Sequence, residues 1–410
     1  MYKEVEQKGK IPFFMRHWIS ILTATVPLLV VGIVLLYAPH FVFAQGNGPN
    51  NIGSTPDKSS LLGNIDGSKH SYSEDALVKA HIPMSPLTGV VTAFSVNGAV
   101  LHWSSSQGNQ PNDTIAHGQT SLYGGDAAGA TDIAFLGAST NGASSGTGTI
   151  QYTDGSTAIY SLRMTDWCAS APQFGNLVAA TLPYRNTASG KQYITNHVFY
   201  AEAPVNPHKT LQSITLPNTT GGQMHIFSYG YRVGPYNNLG GDLDEDLQNI
   251  NNFDGSNNGY SYNALSAAGL TKGSVIENGV TFNWHPTSYG YADNYQAMGQ
   301  VIPVTPVAHA TTLAFLGASA NGSSSGTATI KYTDGSVQSF TLGFTDWCQT
   351  TTSFNNRVVA TANYRHTSTG KQFIKNSIFY ADTVLRAGKI VQSVTLPNNA
   401  HIHVFSIATK

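Results

Sequence analysis

Residues 315–348, FLGASANGSSSGTATIKYTDGSVQSFTLGFTDWC, have an ungapped counterpart at residues 135–168, FLGASTNGASSGTGTIQYTDGSTAIYSLRMTDWC. Tyr152-Thr153-Asp154-Gly155 matches Tyr332-Thr333-Asp334-Gly335, and Thr165-Asp166-Trp167-Cys168 matches Thr345-Asp346-Trp347-Cys348. A spacing of about 180 residues is too long for one solenoid turn or propeller blade and fits a duplicated domain. At 410 residues the chain has room for two such domains, each able to bury its own core.

The repeated stretch reads as β-structure. Runs of β-branched and aromatic residues flank Asp154-Gly155 and Asp334-Gly335, a pair suited to the positive φ of a tight hairpin turn. The second arm alternates, with Phe340, Leu342, Phe344, Asp346 and Cys348 on one side and Thr341, Gly343, Thr345 and Trp347 on the other. Carried through, that alternation places Asp166, Asp346, Cys168 and Cys348 on the core face and Trp167 and Trp347 on the polar face. The two cysteines then sit in separate domains as small core residues, too far apart for a disulfide.

Charged residues make up 10% of the chain against about 25% in typical domains, and the net charge is −1. Such a balance gives no reason to expect a nucleic-acid partner. Lys3, Lys8, Lys10 and Arg16 precede an uncharged apolar run at residues 19–38, about 30 Å long as a helix and enough to cross a bilayer. The basic flank keeps the N-terminus inside and places the rest outside. Val42-Phe43-Ala44 also fits a signal-peptidase site, so residues 1–44 read as a signal peptide or a retained signal anchor. Either way the remainder is extracytoplasmic, secreted or tethered to the membrane by residues 19–38.

Residues 45–50 form a Gly/Asn linker. The expected fold class is all-β: two tandem antiparallel β-sandwich domains, at residues 51–232 and 248–410, joined by a Gly/Asn/Asp-rich linker at residues 233–247. Short helices are expected only at residues 75–80 and 263–268. Trp103 and Trp284 end apolar strands and read as core; His225 and His403 read as strand histidines with satisfied partners.

The second copy carries Asn252-Phe253-Asp254-Gly255, Tyr260-Ser261, Ala264-Leu265, Val280-x-Phe282-x-Trp284, Asp293-Asn294, Gly299-Gln300, Asp346-Trp347, Tyr364-Arg365 and Gly370-Lys371-Gln372. The pattern resembles the accessory galactose-binding-like, jelly-roll-type β-sandwich modules of large secreted bacterial glycoside hydrolases, such as α-mannosidase types. The resemblance spans nearly all of the chain after residue 50, twice, and implies a polysaccharide or glycan partner, of cell wall or external polymer. Within these 410 residues no hydrolase domain is expected, and His81-Ile82-Pro83 departs from Gly269-Leu270-Thr271.

Within this frame, Trp167 and Trp347 are candidate sugar-stacking rings. Tyr184-Arg185 and Tyr364-Arg365, at strand ends, are candidates for holding hydroxyls or a carboxylate. Asp66 and Asp254, in Asp-Gly turns, could join a structural Ca²⁺ site, the one cofactor entertained. Asp242, Asp244 and Asp246 open like a calcium loop, but Leu247 and Phe253 stand where its Gly and Glu belong, leaving a solvated acidic linker. Gly142–Gly146 and Gly322–Gly326 match the nucleophile-elbow spacing, yet a strand rather than a helix follows. The expected function is non-catalytic carbohydrate binding; the alternative is a structural or adhesive surface protein without a small-ligand site.

Overall fold

The computed structural model describes residues 48–59, 63–85, 92–106, 110–122, 127–246, 250–286 and 290–410. The N-terminal hydrophobic helix expected at residues 19–38 lies outside the described residues.

The chain is almost entirely β. Among the described residues, helix is confined to Glu74–Lys79 and Tyr262–Ala267, each started by a serine, Ser73 or Ser261, whose hydroxyl accepts the amide of Ala76 or Ala264. Buried apolar side chains gather in two clusters, one drawn from residues 65–231 and the other from residues 253–405. Trp103 and Trp284 are fully enclosed in them.

The same strand order recurs in the two halves. Ser54–Thr55, Ser71–Ser73, Arg185–Thr187 and Gly190–Gln192 form one four-stranded sheet; Gly241–Asp242, Asn258–Ser261, Arg365–Thr367 and Gly370–Gln372 form another in the same order. In the first half, Ala130–Tyr152 and Leu211–Val233 run side by side through the whole sandwich, flanked by Asn196–Pro204, Leu177–Leu182 and Thr157–Met164. In the second half each long strand is divided: Thr312–Ser319 and Ser324–Tyr332, then Val391–Thr395 and Asn398–Thr409. Gly142 and Gly322, with φ of 103° and 109°, sit at the bend that only a residue without Cβ takes readily. The hairpin after each bend closes through Gly155 or Gly335, with the Asp154 or Asp334 carboxylate accepting the amide of Ser156 or Ser336.

The face assignment at residues 165–168 and 345–348 is corrected by the structure. Alternation holds only to Met164 and Phe344, where the strands end. The next residue is turned by Asn176 or Asn356, whose side-chain oxygen accepts the amide of Thr165 at 2.9 Å or Thr345 at 2.7 Å. Asp166 and Asp346 then bridge in parallel to Ser139 and Ser319. This change of sheet drives Trp167 and Trp347 inward, each 2% exposed, and leaves Cys168 exposed and Cys348 half-buried. Asp346 stays buried and Asp166 partly so, and their carboxylates accept backbone donors, the amides of Gly142 and Cys168 or of Gly322 and Cys348.

Candidate functional site

Trp167, Arg185 and Asp66, chosen separately from the sequence, meet in one stack. The Arg185 guanidinium lies 5.0 Å from the Trp167 ring centre, donates Nε–H to Gln192 Oε1 at 2.7 Å, and stands 3.6 Å from Asp66 Oδ2 and 3.8 Å from Cys168 Sγ. The second half repeats the stack: Arg365 lies 5.1 Å from Trp347, 2.7 Å from Gln372, 3.6 Å from Asp254 and 3.8 Å from Cys348. Tyr72 and Tyr260 pack edge-on against the indoles at 5.1 and 5.0 Å, and each indole is 2% exposed. The rings are therefore packed by both arginine and tyrosine, and their burial leaves no face for a sugar to stack on.

Asp66 and Asp254 are also taken. Asp66 accepts from His70 Nδ1 at 2.6 Å and Ser68 N at 2.9 Å, and Asp254 from Ser256 N and Asn258 Nδ2. Burial works to raise Asp66, but its donors and Arg185 outweigh that and hold it below the usual carboxylate range. In both halves these carboxylate oxygens accept hydrogen bonds from protein donors, with the arginine of the stack 3.6 Å away. No cluster of three His, Cys, Asp or Glu side chains suited to a metal occurs among the described residues. Burial pushes both thiols up, Cys348 to about 11, despite the arginine beside each.

Tyr184 and Tyr364 face away from the stack. Tyr184 OH donates to Asp57 Oδ2 at 2.8 Å, and Lys191 Nζ sits 2.5 Å from the same oxygen and 4.2 Å from the Tyr184 ring centre. Tyr364, Asp244 and Lys371 repeat this at 2.6, 2.5 and 4.6 Å. Against each tyrosine leans a residue that the sequence reading passed over: Tyr193, 5.7 Å from Tyr184 and 78% exposed, and Phe373, 5.8 Å from Tyr364 and 81% exposed. Ile194 and Ile374 follow at the same surface. The signal was present, because Gly190-Lys191-Gln192-Tyr193 and Gly370-Lys371-Gln372-Phe373 place an aromatic one residue beyond the motif.

A second half-exposed aromatic also recurs. Phe174 and Phe354 adopt φ of 58° and 54°, a left-handed conformation that costs a bulky residue about 1–2 kcal/mol. Arg163 lies 5.7 Å from the Phe174 ring; its counterpart Gly343 lets the Phe354 ring rest on the backbone.

The halves differ beneath the aromatic hairpins. Asn186 Nδ2 donates to Thr55 O and Oγ1 at 2.9 and 3.1 Å. At the matching place His366 is enclosed between Asp242, in contact with Nδ1, and Asp244, 2.9 Å from Nε2. Asp242 is 2% exposed, so this part of the acidic segment is not the solvated linker its composition indicates. The strand histidines are buried, with His225 2.6 Å from Asp113 and His403 2.8 Å from Asn294. Burial pushes His403 down to about 3 and Asp293 up to about 6.

Residues 235–410 match the family model of AziU2-like beta-sandwich domains. No curated protein matches the chain. Solved structures that align with it include a mutant of the Bacillus subtilis oxalate decarboxylase OxdC, at 9% identity over 78% of this chain and 80% of that one, with a TM-score of 0.12. Lactobacillus farciminis oxalate decarboxylase in its formate complex aligns at 11% identity over 78% and 89%, TM-score 0.10. Vicilin from Capsicum annuum aligns at 7% over 77% and 82%, TM-score 0.11. Scores this low carry no argument about fold or chemistry.

Proposed function

We propose that this chain is a non-catalytic, extracytoplasmic pair of tandem β-sandwich modules that binds polysaccharide through the Tyr193 and Phe373 surfaces. The observation that carries the reading is the recurrence, on the same hairpin of each half, of an almost fully exposed ring. Each leans on a second aromatic, whose own ring carries a lysine. A sugar ring offers an apolar C–H face to such a platform and hydroxyls to its polar margin. The tandem reading is supported by the shared strand order and the matched Trp–Arg–Asp stacks. Two weak sites on one chain gain avidity when a polymer reaches both. The low charge and the apolar run at residues 19–38 support placement outside the membrane, released or tethered.

One observation favours the rival reading of a structural or adhesive spacer: Arg185, Gln192 and Lys191 already bond within the protein, leaving few free donors at the rim. A pull-down on insoluble cell-wall polysaccharides separates the two. Tyr193→Ala and Phe373→Ala should each weaken retention about tenfold, and the double variant should abolish it. Unchanged retention by the double variant would remove the platforms from the account, and no retention of the wild type on any polymer would leave the spacer.

A further inference from the structure

We propose that the buried Asp242–His366–Asp244 contact is a proton-dependent latch that holds the aromatic hairpin of the second half, and not that of the first. Its bearing on binding rests on the platform reading above; the latch itself does not.

His366 presents Nδ1 to Asp242 Oδ1 and Nε2 to Asp244 Oδ1, with its side chain 2% exposed. A neutral imidazole carries one N–H, so one nitrogen would set a lone pair against a carboxylate. The geometry therefore needs one further proton, on the ring or on Asp242. The other half has no such need, because the Asn186 amide and the Thr55 carbonyl and hydroxyl do not titrate.

Topology ties this proton to the exposed ring. His366 lies in Arg365–Thr367, paired with Gly259 on one side and Lys371 on the other. Asp242 belongs to Gly241–Asp242, the edge strand of the same sheet, separated from Arg365–Thr367 by Asn258–Ser261, so the side chains of Asp242 and His366 meet across the intervening strand. Asp244 accepts from His366, Ser261 Oγ, Tyr364 OH and Lys371 Nζ, and the Tyr364 ring is the one on which Phe373 leans. Loss of the proton sets Asp242 against His366 and breaks the side-chain tie that runs from the edge segment across Asn258–Ser261 to the hairpin.

The groups facing the histidine set the direction. From the edge segment come Asp242, Asp244 and, behind Asp242, Asp246; from the hairpin come Lys371 and the Tyr364 phenol; from Asn258–Ser261 comes Ser261. Burial opposes charge on His366, but its two carboxylates outweigh burial and raise it above 6.5. Burial likewise raises Asp242, whereas the donors on Asp244 outweigh burial and hold it well below the usual range. A group that binds its proton more tightly when folded contributes fully below its unfolded pKa. That contribution fades as pH climbs through the folded value, so the latch opens upward from about 6.5.

The test uses the full chain without any ligand. An NMR titration should find the His366 ring deprotonating above 6.5. Amide exchange, corrected for intrinsic rates, should show protection of residues 365–373 falling about tenfold between pH 6 and 9, with residues 185–193 unchanged. His366→Asn combined with Asp242→Thr rebuilds the pair of the first half and should remove the difference. A ring titrating below 6.5, or both hairpins responding alike, would overturn the latch. If the double variant fails to fold, the wild-type titration and the internal comparison still decide. No polysaccharide enters either measurement, so failed binding and a failed latch give separate results.

Discussion

Trp347 belongs to the core, so removing its ring is a cavity mutation rather than a binding mutation. Packed on Phe253 at 4.9 Å, on Tyr260 at 5.0 Å and under Arg365, it should lower unfolding stability by about 3–5 kcal/mol on Trp347→Ala. Urea denaturation would register this as a fall in midpoint with an unchanged slope. A loss under about 1 kcal/mol would mean that the arginine–tyrosine clamp does not hold the ring. The residue identities of this cluster were legible in the sequence, since Trp, Arg and Asp each stood out by recurrence. Their environment was not, because the alternation used to orient Trp167 and Trp347 is a property of strands. Here the strand ends one turn too early, under the control of Asn176 and Asn356, eleven residues downstream of the threonines they hold. Local periodicity carries no trace of a side chain that arrives from that far. Tyr193 and Phe373 were missed for a simpler reason. An aromatic after Gly-Lys-Gln looks like the start of the next apolar strand, and only the backbone path keeps it outside.

At the scale of elements, the Asp-Gly hairpins and short helices were written in the sequence, whereas the continuity of Ala130–Tyr152 was not. Its Gly/Ser stretch at residues 142–146 reads as loop by propensity, but Leu211–Val233 runs opposite it and supplies ladder partners through a shift between Gly221 and Gln223. Tertiary pairing overrides the local preference. The same pair of strands explains two glycines with ordinary φ. A Cβ at Gly137 would lie 2.2 Å from the His225 carbonyl oxygen, and one at Gly317 would lie 2.3 Å from that of His403. These are backbone atoms at strand irregularities, between Ile226 and Ser228 and between Leu316 and Gly317, so no rotamer change relieves the clash. Gly137→Ala and Gly317→Ala should each destabilise by about 3 kcal/mol, at the upper end of overpacking effects, read as a lowered melting temperature. Substitutions that leave melting unchanged would place the two central strands farther apart than described.

On the scale of the whole molecule, the two halves use one end of the sandwich differently. Asn97-Gly98 and Asn278-Gly279 make the same hairpin turn, with glycine φ of 80° and 71°. Gly98 is buried against the second half, where a Cβ would stand 3.0 Å from Ala292 Cβ, 3.0 Å from the Tyr236 carbonyl and 3.1 Å from Asn237 Cα. Gly279 is exposed and meets only the flexible end of Lys410. Around them the partly covered Leu177 is replaced by the exposed Arg357. Alanine at either glycine carries the same left-handed penalty, so the difference between Gly98→Ala and Gly279→Ala isolates the contact between halves. Gly98→Ala should be more destabilising by about 1–3 kcal/mol in urea titrations, because backbone on the far side cannot yield. Equal costs would mean that the contact at Gly98 adds nothing to stability, and that the spacing of the two aromatic platforms is set by the chain between them rather than by packing.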